Sequence, residues 1–173
     1  MIKYLISDPL HKYKNFEGVD YVCYRNKSVV DFEKQATEFI DQAKADGVKN
    51  IFLSEDYLLA DRLGISGVHL TSQQFSSIED AQKRGLKVII SCHCEEEIQT
   101  AMRKNVDFIT YSPIFNTPNK GKAKGIENLK MIVSRYNIKI IALGGILTAD
   151  QITQVKESGA VGFASIRHFI QKE

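Results

Sequence analysis

The stretch Lys87–Thr110, KVIISCHCEEEIQTAMRKNVDFIT, decides the fold. It opens on an apolar, β-branched-rich run, KVIIS (87–91), and closes on another, VDFIT (106–110). Between them lies a helical pattern, EEEIQTAMRKN (95–105), with Asn105 where a helix end favours Gly or Asn. Two strands joined by a helix pair in parallel, because the helix is the crossover that returns the chain to the same end of the sheet.

The same unit recurs on both sides. Upstream are IKYLI (2–6), VDYVCY (19–24), NIFL (50–53) and GVHL (67–70); downstream are IKIIAL (138–143) and AVGFAS (160–165). Two more helical patterns, DFEKQATEFIDQAKADG and SSIEDAQKRG, end in Gly47 and Gly85. Eight such runs predict an α/β fold of the (β/α)8 TIM-barrel type, with a doubly wound open sheet as the alternative. Barrels of this kind usually need about 250 residues. A chain of 173 must shorten its crossovers, and residues 7–18 hold barely one helical turn. One barrel domain over 1–173 is the expected organisation.

Bulk composition excludes several classes. A hydrophobic fraction of 43% and a charged fraction of 25% are ordinary for a globular protein. The net charge of +2 gives no basis for nucleic-acid or anionic-membrane binding, so an anion site must come from local clustering. No apolar run approaches the roughly 20 residues of a membrane helix. The first residues, MIKYLISDPLHKY, lack a cleavage pattern and suit a first strand. Three cysteines form no disulfide framework, so a cytoplasmic location is expected.

In a barrel the chemistry gathers on the loops after the strands' C-terminal ends. After the second strand, Cys23, Arg25 and Lys27 alternate onto one face, and the two cations suit a phosphate or carboxylate. After the fifth, Ser91 and His93 share the interior face, while Cys92 and Cys94 turn toward the helix layer as apolar fillers. No second Cys/His cluster completes a zinc set. An imidazole at a barrel mouth such as His93 can move a proton near neutral pH, although a lone histidine there is more often structural than catalytic. His69 is expected to be a satisfied core group, with His11 and His168 at the surface.

The segment Tyr111–Gly125, YSPIFNTPNKGKAKG, follows the sixth strand. Thr117, Asn119 and Lys120 can fold over an anion there, with Pro118 stiffening the turn. Gly144 and Gly145 follow the seventh strand and let backbone approach a ligand; Thr148 suits a helix N-cap. Ser165 closes the eighth strand. The loops after strands seven and eight commonly form a phosphate site.

Together these strand ends resemble the thiamine phosphate synthase/TenI family of barrels over nearly the whole chain. The family's Val-Gln-x-Arg-(Asp/Glu)-Lys strand is matched by VCYRNK, its fourth strand by GVHL and its Ser-x-His by SCH. Its Pro-(Ile/Val)-Phe-x-Thr-x-(Ser/Thr)-Lys loop is matched by PIFNTPNK, and its last two strand ends by GGI and GFAS. The family holds two activities. A synthase joins a pyrimidine pyrophosphate to a thiazole phosphate with Mg²⁺, and the TenI tautomerase aromatises a carboxylated thiazole phosphate by proton transfer without a metal.

The resemblance implies that Gly144, Gly145 and Ser165 hold the thiazole phosphate and that Thr117 and Lys120 contact it from the loop. The synthase's pyrimidine-binding Gln falls on Cys23, which offers no amide. Its Asn-Asp falls on Ser54 and Glu55, its second metal-binding Asp near Gln74, and its loop hydroxyl on Asn119. That pattern favours a TenI-like tautomerase, with His93 as general acid/base, Arg25 or Lys27 on the carboxylate, and no metal. A divergent synthase using Glu55 and Mg²⁺ is the second reading, and a non-catalytic ligand sensor the third. The partner implied is a small-molecule thiazole phosphate. A homo-oligomer is left open, since barrels of this class often assemble.

Overall fold

Alternate residues of each apolar run meet two different environments, and that alternation closes the sheet. The computed structural model describes residues 1–11, 13–26 and 30–170. Its strands are β1 (Ile2–Ile6), β2 (Tyr21–Tyr24), β3 (Asn50–Ser54), β4 (Gly67–Leu70), β5 (Lys87–Cys92), β6 (Phe108–Tyr111), β7 (Ile140–Leu143) and β8 (Gly162–Ser165). Each runs parallel to the next, and β8 returns to β1 through the pairs Ile2–Gly162 and Leu5–Ser165. This closure decides for the barrel against the open sheet.

The outer layer is made of α1 (Phe32–Ala45), α2 (Tyr57–Arg62), α3 (Ile78–Lys83), α4 (Glu95–Arg103), α5 (Ile126–Arg135) and α6 (Ala149–Glu157). The economy in residues comes from the crossovers: α2 and α3 are six residues each, and no described residue between β1 and β2 is helical. Thr148 caps α6 as its residue type suggests, its hydroxyl accepting from the Gln151 amide in a capping box. Asp56 does the same for α2, accepting from Leu59. None of the described helices is long and apolar enough to cross a membrane.

Outward-facing strand residues such as Val22, Leu53, Ile90 and Ile109 pack on Ile40, Leu59, Ile98 and Leu129 of the helices. Inward-facing Tyr4, Phe52, Ile89, Phe108 and Ile141 fill the barrel. Tyr21 stacks on Phe52 at 5.5 Å and meets Phe108 edge-on at 5.7 Å, which plugs the barrel toward the strands' N-terminal ends. Burial of each such ring contributes about 1.5–3 kcal/mol. Cys92 lies in the outer core as its position on β5 dictates. Cys94 does not: it heads α4 rather than extending the strand, and is exposed. His168 also departs from a plain surface position, packing edge-on against Phe163 and Phe169.

Candidate active site

Above the aromatic plug the interior turns polar. His69, at the end of β4, is 7% exposed. Its Nδ1 lies 3.0 Å from the Tyr4 hydroxyl, and its Nε2 lies 3.2 Å from Ser91 Oγ and 3.3 Å from Thr110 Oγ1. Burial, and after it the Arg25 charge, lower its pKa to about 4, so the ring is neutral near pH 7. His69 is therefore the satisfied buried group that the sequence suggests.

A cavity of about 420 Å³ opens over this floor at the strands' C-terminal ends. Arg25, Ser91, His93 and the loop residues Thr117 and Lys120 line it, as do Gly144, Gly145 and Ser165. These are most of the residues singled out from sequence, brought together from β2, β5, β6, β7 and β8. Lys27 lies outside the described residues. Asn119, expected on the ligand, and Glu55, expected on Mg²⁺ in the synthase reading, do not line this cavity.

Each exception has a local cause. The Lys120 amide donates to Thr117 O at 3.3 Å, with Pro118 and Asn119 as the turn's central residues. Asn119 has φ 60, so it serves as the left-handed corner of that turn, a conformation Asn tolerates. Glu55 has φ 70, and its amide donates to His69 O at 3.0 Å. Gln74 donates its side-chain amide to Glu55 O, while its own oxygen accepts from the Thr71 amide and hydroxyl.

The loop that follows β6 is fastened at its base. Ile114 and Phe115 donate to Leu143 O and Gly144 O, both at 2.9 Å, and Lys124 and Gly125 donate back to Pro113 O and Ile114 O. The glycine pair makes this approach possible. A Cβ on Gly144 would lie 2.7 Å from Pro113 Cα, and one on Gly145 would lie 2.6 Å from Asn116 O. Both residues have positive φ, 99 and 69. The pair thus admits the loop backbone as well as facing the cavity. Ser165 likewise has a structural tie: its hydroxyl donates to Ile146 O at 2.9 Å and accepts from the His168 amide at 3.2 Å.

His93 is held from three sides. Its backbone amide donates to Glu97 Oε2 at 2.5 Å, and its carbonyl accepts from Lys124 Nζ at 2.6 Å. Its Nδ1 lies 3.1 Å from the Ser112 carbonyl oxygen. The Ser112 hydroxyl lies 3.3 Å from the same nitrogen and can accept as well as donate, whereas the closer carbonyl only accepts; a proton on Nδ1 satisfies both and leaves the neutral ring's lone pair on Nε2. That is the tautomer a general base needs.

Arg167, Ser112, Thr71 and Ser72 also line the cavity and were not singled out from sequence. Only Arg167 carries a visible signal, as a cation two residues beyond Ser165 at a strand end. Fit to Mg²⁺ is poor. No group of three or more His, Cys, Asp or Glu among the described residues could hold a metal ion. The Gln74 oxygen that stands for a second carboxylate is committed to Thr71.

The family model described as thiamine monophosphate synthase (TMP-TENI) matches residues 12–169. A protein of Aquifex aeolicus, named provisionally as a second thiamine-phosphate synthase, is 33% identical over 163 residues, 90% of this chain and 85% of its own length. The thiamine-phosphate synthase of Latilactobacillus sakei is 34% identical over 127 residues, 69% of this chain but 56% of that protein. This chain thus spans little more than half of the latter relative. A solved thiamine phosphate pyrophosphorylase from Pyrococcus furiosus shares the fold with a TM-score of 0.81, at 23% identity over 95% of this chain and 85% of that one. A family match across almost the whole barrel, and relatives at about a third identity, agree with what the strand ends carry: the chain belongs to the thiamine monophosphate synthase/TenI family.

Proposed function

We propose that the barrel binds a thiazole phosphate in the mouth cavity and joins it to a pyrimidine pyrophosphate, forming thiamine phosphate. The names of its relatives support this chemistry over the tautomerase that the sequence departures favour. One observation carries the binding half. Lys120 and Arg167 stand on the same cavity as the Gly144–Gly145 turn and the Ser165 strand end. A phosphate monoester needs close backbone approach and cations together. In the joining step the thiazole nitrogen lone pair attacks the pyrimidine methylene carbon. The carbon–oxygen bond breaks, and pyrophosphate leaves with the bonding pair. Among the described residues, Arg25, Lys120 and Arg167 are the cavity-lining cations that can meet that leaving charge. The described residues do not fit a Mg²⁺ site, and no step is routed through the metal.

His93 favours a second reading, the TenI-like tautomerase. Its Nε2 lone pair would take a proton from the carboxylated thiazole phosphate and return it elsewhere on the ligand, with Arg25 on the carboxylate. The discriminating experiment supplies both synthase substrates with and without Mg²⁺. Thiamine phosphate formation that falls in Lys120→Ala supports the first reading, and the Mg²⁺ arm tests whether the joining needs an ion that the described residues do not cradle. No product from folded protein, with ring aromatisation that drops about 100-fold or more in His93→Ala, supports the second. Ligand binding with neither turnover leaves the sensor role.

A further inference from the structure

Tyr4, His69, Ser91 and Thr110 form a hydrogen-bonded chain that neither chemistry above uses. Tyr4 and Thr110 have no solvent exposure. Of the four, only His69 and Ser91 line the cavity. We propose that the buried Tyr4–His69 pair fixes the Ser91 hydroxyl as a hydrogen-bond donor into the cavity. The ligand atom seated over Ser91 is then an acceptor, either a ring nitrogen with a free lone pair or a carboxylate oxygen.

The direction follows from counting hydrogens. The Tyr4 phenol has one, and its burial keeps it un-ionised at any ordinary pH. His69 Nδ1 lies 3.0 Å away, whereas the neighbouring Cys23 sulfur is a weak acceptor whose own hydrogen points to Tyr24 O. Tyr4 therefore donates to Nδ1. The neutral ring has a single N–H, which must then be on Nε2, and Nε2 donates toward Ser91 Oγ and Thr110 Oγ1. Thr110 Oγ1 in turn donates to Ser91 Oγ at 3.4 Å. With the Nε2–H and the Thr110 hydrogen both directed at Ser91 Oγ, the Ser91 hydrogen has no place on either contact. That hydrogen turns to the open side, into the cavity. An N–H group or an N-alkylated ring placed there would meet a donor and gain nothing.

Tyr4 and His69 are positioning residues in this scheme, because neither touches ligand through the proposed bond. The donor direction stands on the protein alone. The ligand class rests on the thiazole phosphate reading. Long-range proton–nitrogen correlation spectra of ¹⁵N-labelled protein, with His69 assigned by loss in His69→Gln, report the tautomer without any ligand. The expected result is Nε2–H in the wild type and a shift toward Nδ1–H in Tyr4→Phe. Calorimetric titration with thiazole phosphate then tests the consequence. Ser91→Ala and Tyr4→Phe each weaken binding by about 3- to 10-fold, and the double variant loses no more than the worse single. An Nδ1–H ring in the wild type overturns the proposal, as do losses that multiply in the double variant. A wild-type protein with the Nε2–H ring that does not bind thiazole phosphate overturns the ligand class and the function proposed above, and leaves the donor standing.

Discussion

Two histidines at the ends of neighbouring strands have opposite fates. On the floor, His69 has both nitrogens engaged inside the barrel. On the rim, His93 is exposed, fastens one nitrogen to the Ser112 carbonyl and keeps the other for whatever enters. The hydrogens sit on opposite nitrogens, Nε2 in the first ring and Nδ1 in the second, because a phenol donates and a carbonyl accepts. Residue type does not distinguish scaffold from chemistry at this mouth; the partner of each ring nitrogen does. The floor is held by side chains that burial isolates from water. The rim is held mainly by backbone, through loop carbonyls and a glycine pair. The two regions should therefore fail under different stresses.

Acid should act on the floor. The unfolded His69 titrates near the ordinary value of about 6.5, while the folded ring, with its pKa lowered to about 4, refuses the proton. Between those values the unfolded chain binds more protons, so this contribution is complete above about pH 6.5 and is lost as pH falls toward 4. The loss amounts to about 2 kcal/mol by pH 5 and about 3 kcal/mol over the whole window. Urea unfolding at pH 7 and pH 5 measures it, and the His69→Gln variant should be nearly flat between them. The exposed carboxylates of Glu79, Glu95 and Glu96 are held below their ordinary values by Lys104, by Tyr136 with Arg135, and by hydrogen bonds at the head of α4. Parallel losses in wild type and His69→Gln would show that acid does not act through the floor.

Backbone crowding should act on the rim. In Gly144→Ala the new methyl would stand 2.7 Å from Pro113 Cα, on a residue whose φ is 99. Left-handed strain and overpacking together cost about 2–3 kcal/mol and push the loop that carries Thr117 and Lys120 away from the cavity. Gly121→Ala is the control, because φ there is 63 but nothing lies within 4 Å of the added Cβ. A similar loss in both variants would mean that strain alone matters and that the Gly144–Pro113 contact does not hold the loop.

Most of this architecture is legible in the chain, for physical reasons that also mark where legibility ends. Period-two burial and helix-ending Gly or Asn give the strands and three of the helices, and Ser91 and Cys92 take opposite faces as the pleat requires. The short helix α2 is overlooked although it matches α3 in length and has Gly64 where α3 has Gly85. Glu55, just after β3, and Asn119, in the loop after β6, have positive φ that serves their turns, which residue type alone does not announce. The glycine pair is visible as flexible backbone, but its packing against Pro113 and Asn116 depends on a loop 30 residues upstream. Arg167 is overlooked because one cation near a strand end carries little weight without the cavity it lines.

The smallest effect is expected where a side chain does hold the rim. Lys124 Nζ donates to the His93 carbonyl at 2.6 Å and stands 5.0 Å from the Tyr111 ring centroid. A charge-assisted bond and a cation–π contact would be strong if buried, but water reaches this side chain and screens both. Lys124→Met keeps the stem that covers Tyr111 and removes the charge, so stability should fall by about 1 kcal/mol or less, a melting shift of a few degrees. The acid slope of His69 should be unchanged, because the floor does not feel this contact. The backbone bonds from Lys124 and Gly125 to Pro113 and Ile114 remain in the variant and keep the loop closed. A loss as large as that of Gly144→Ala would reverse the division drawn here, making one lysine rather than the backbone the clasp that sets His93 at the mouth.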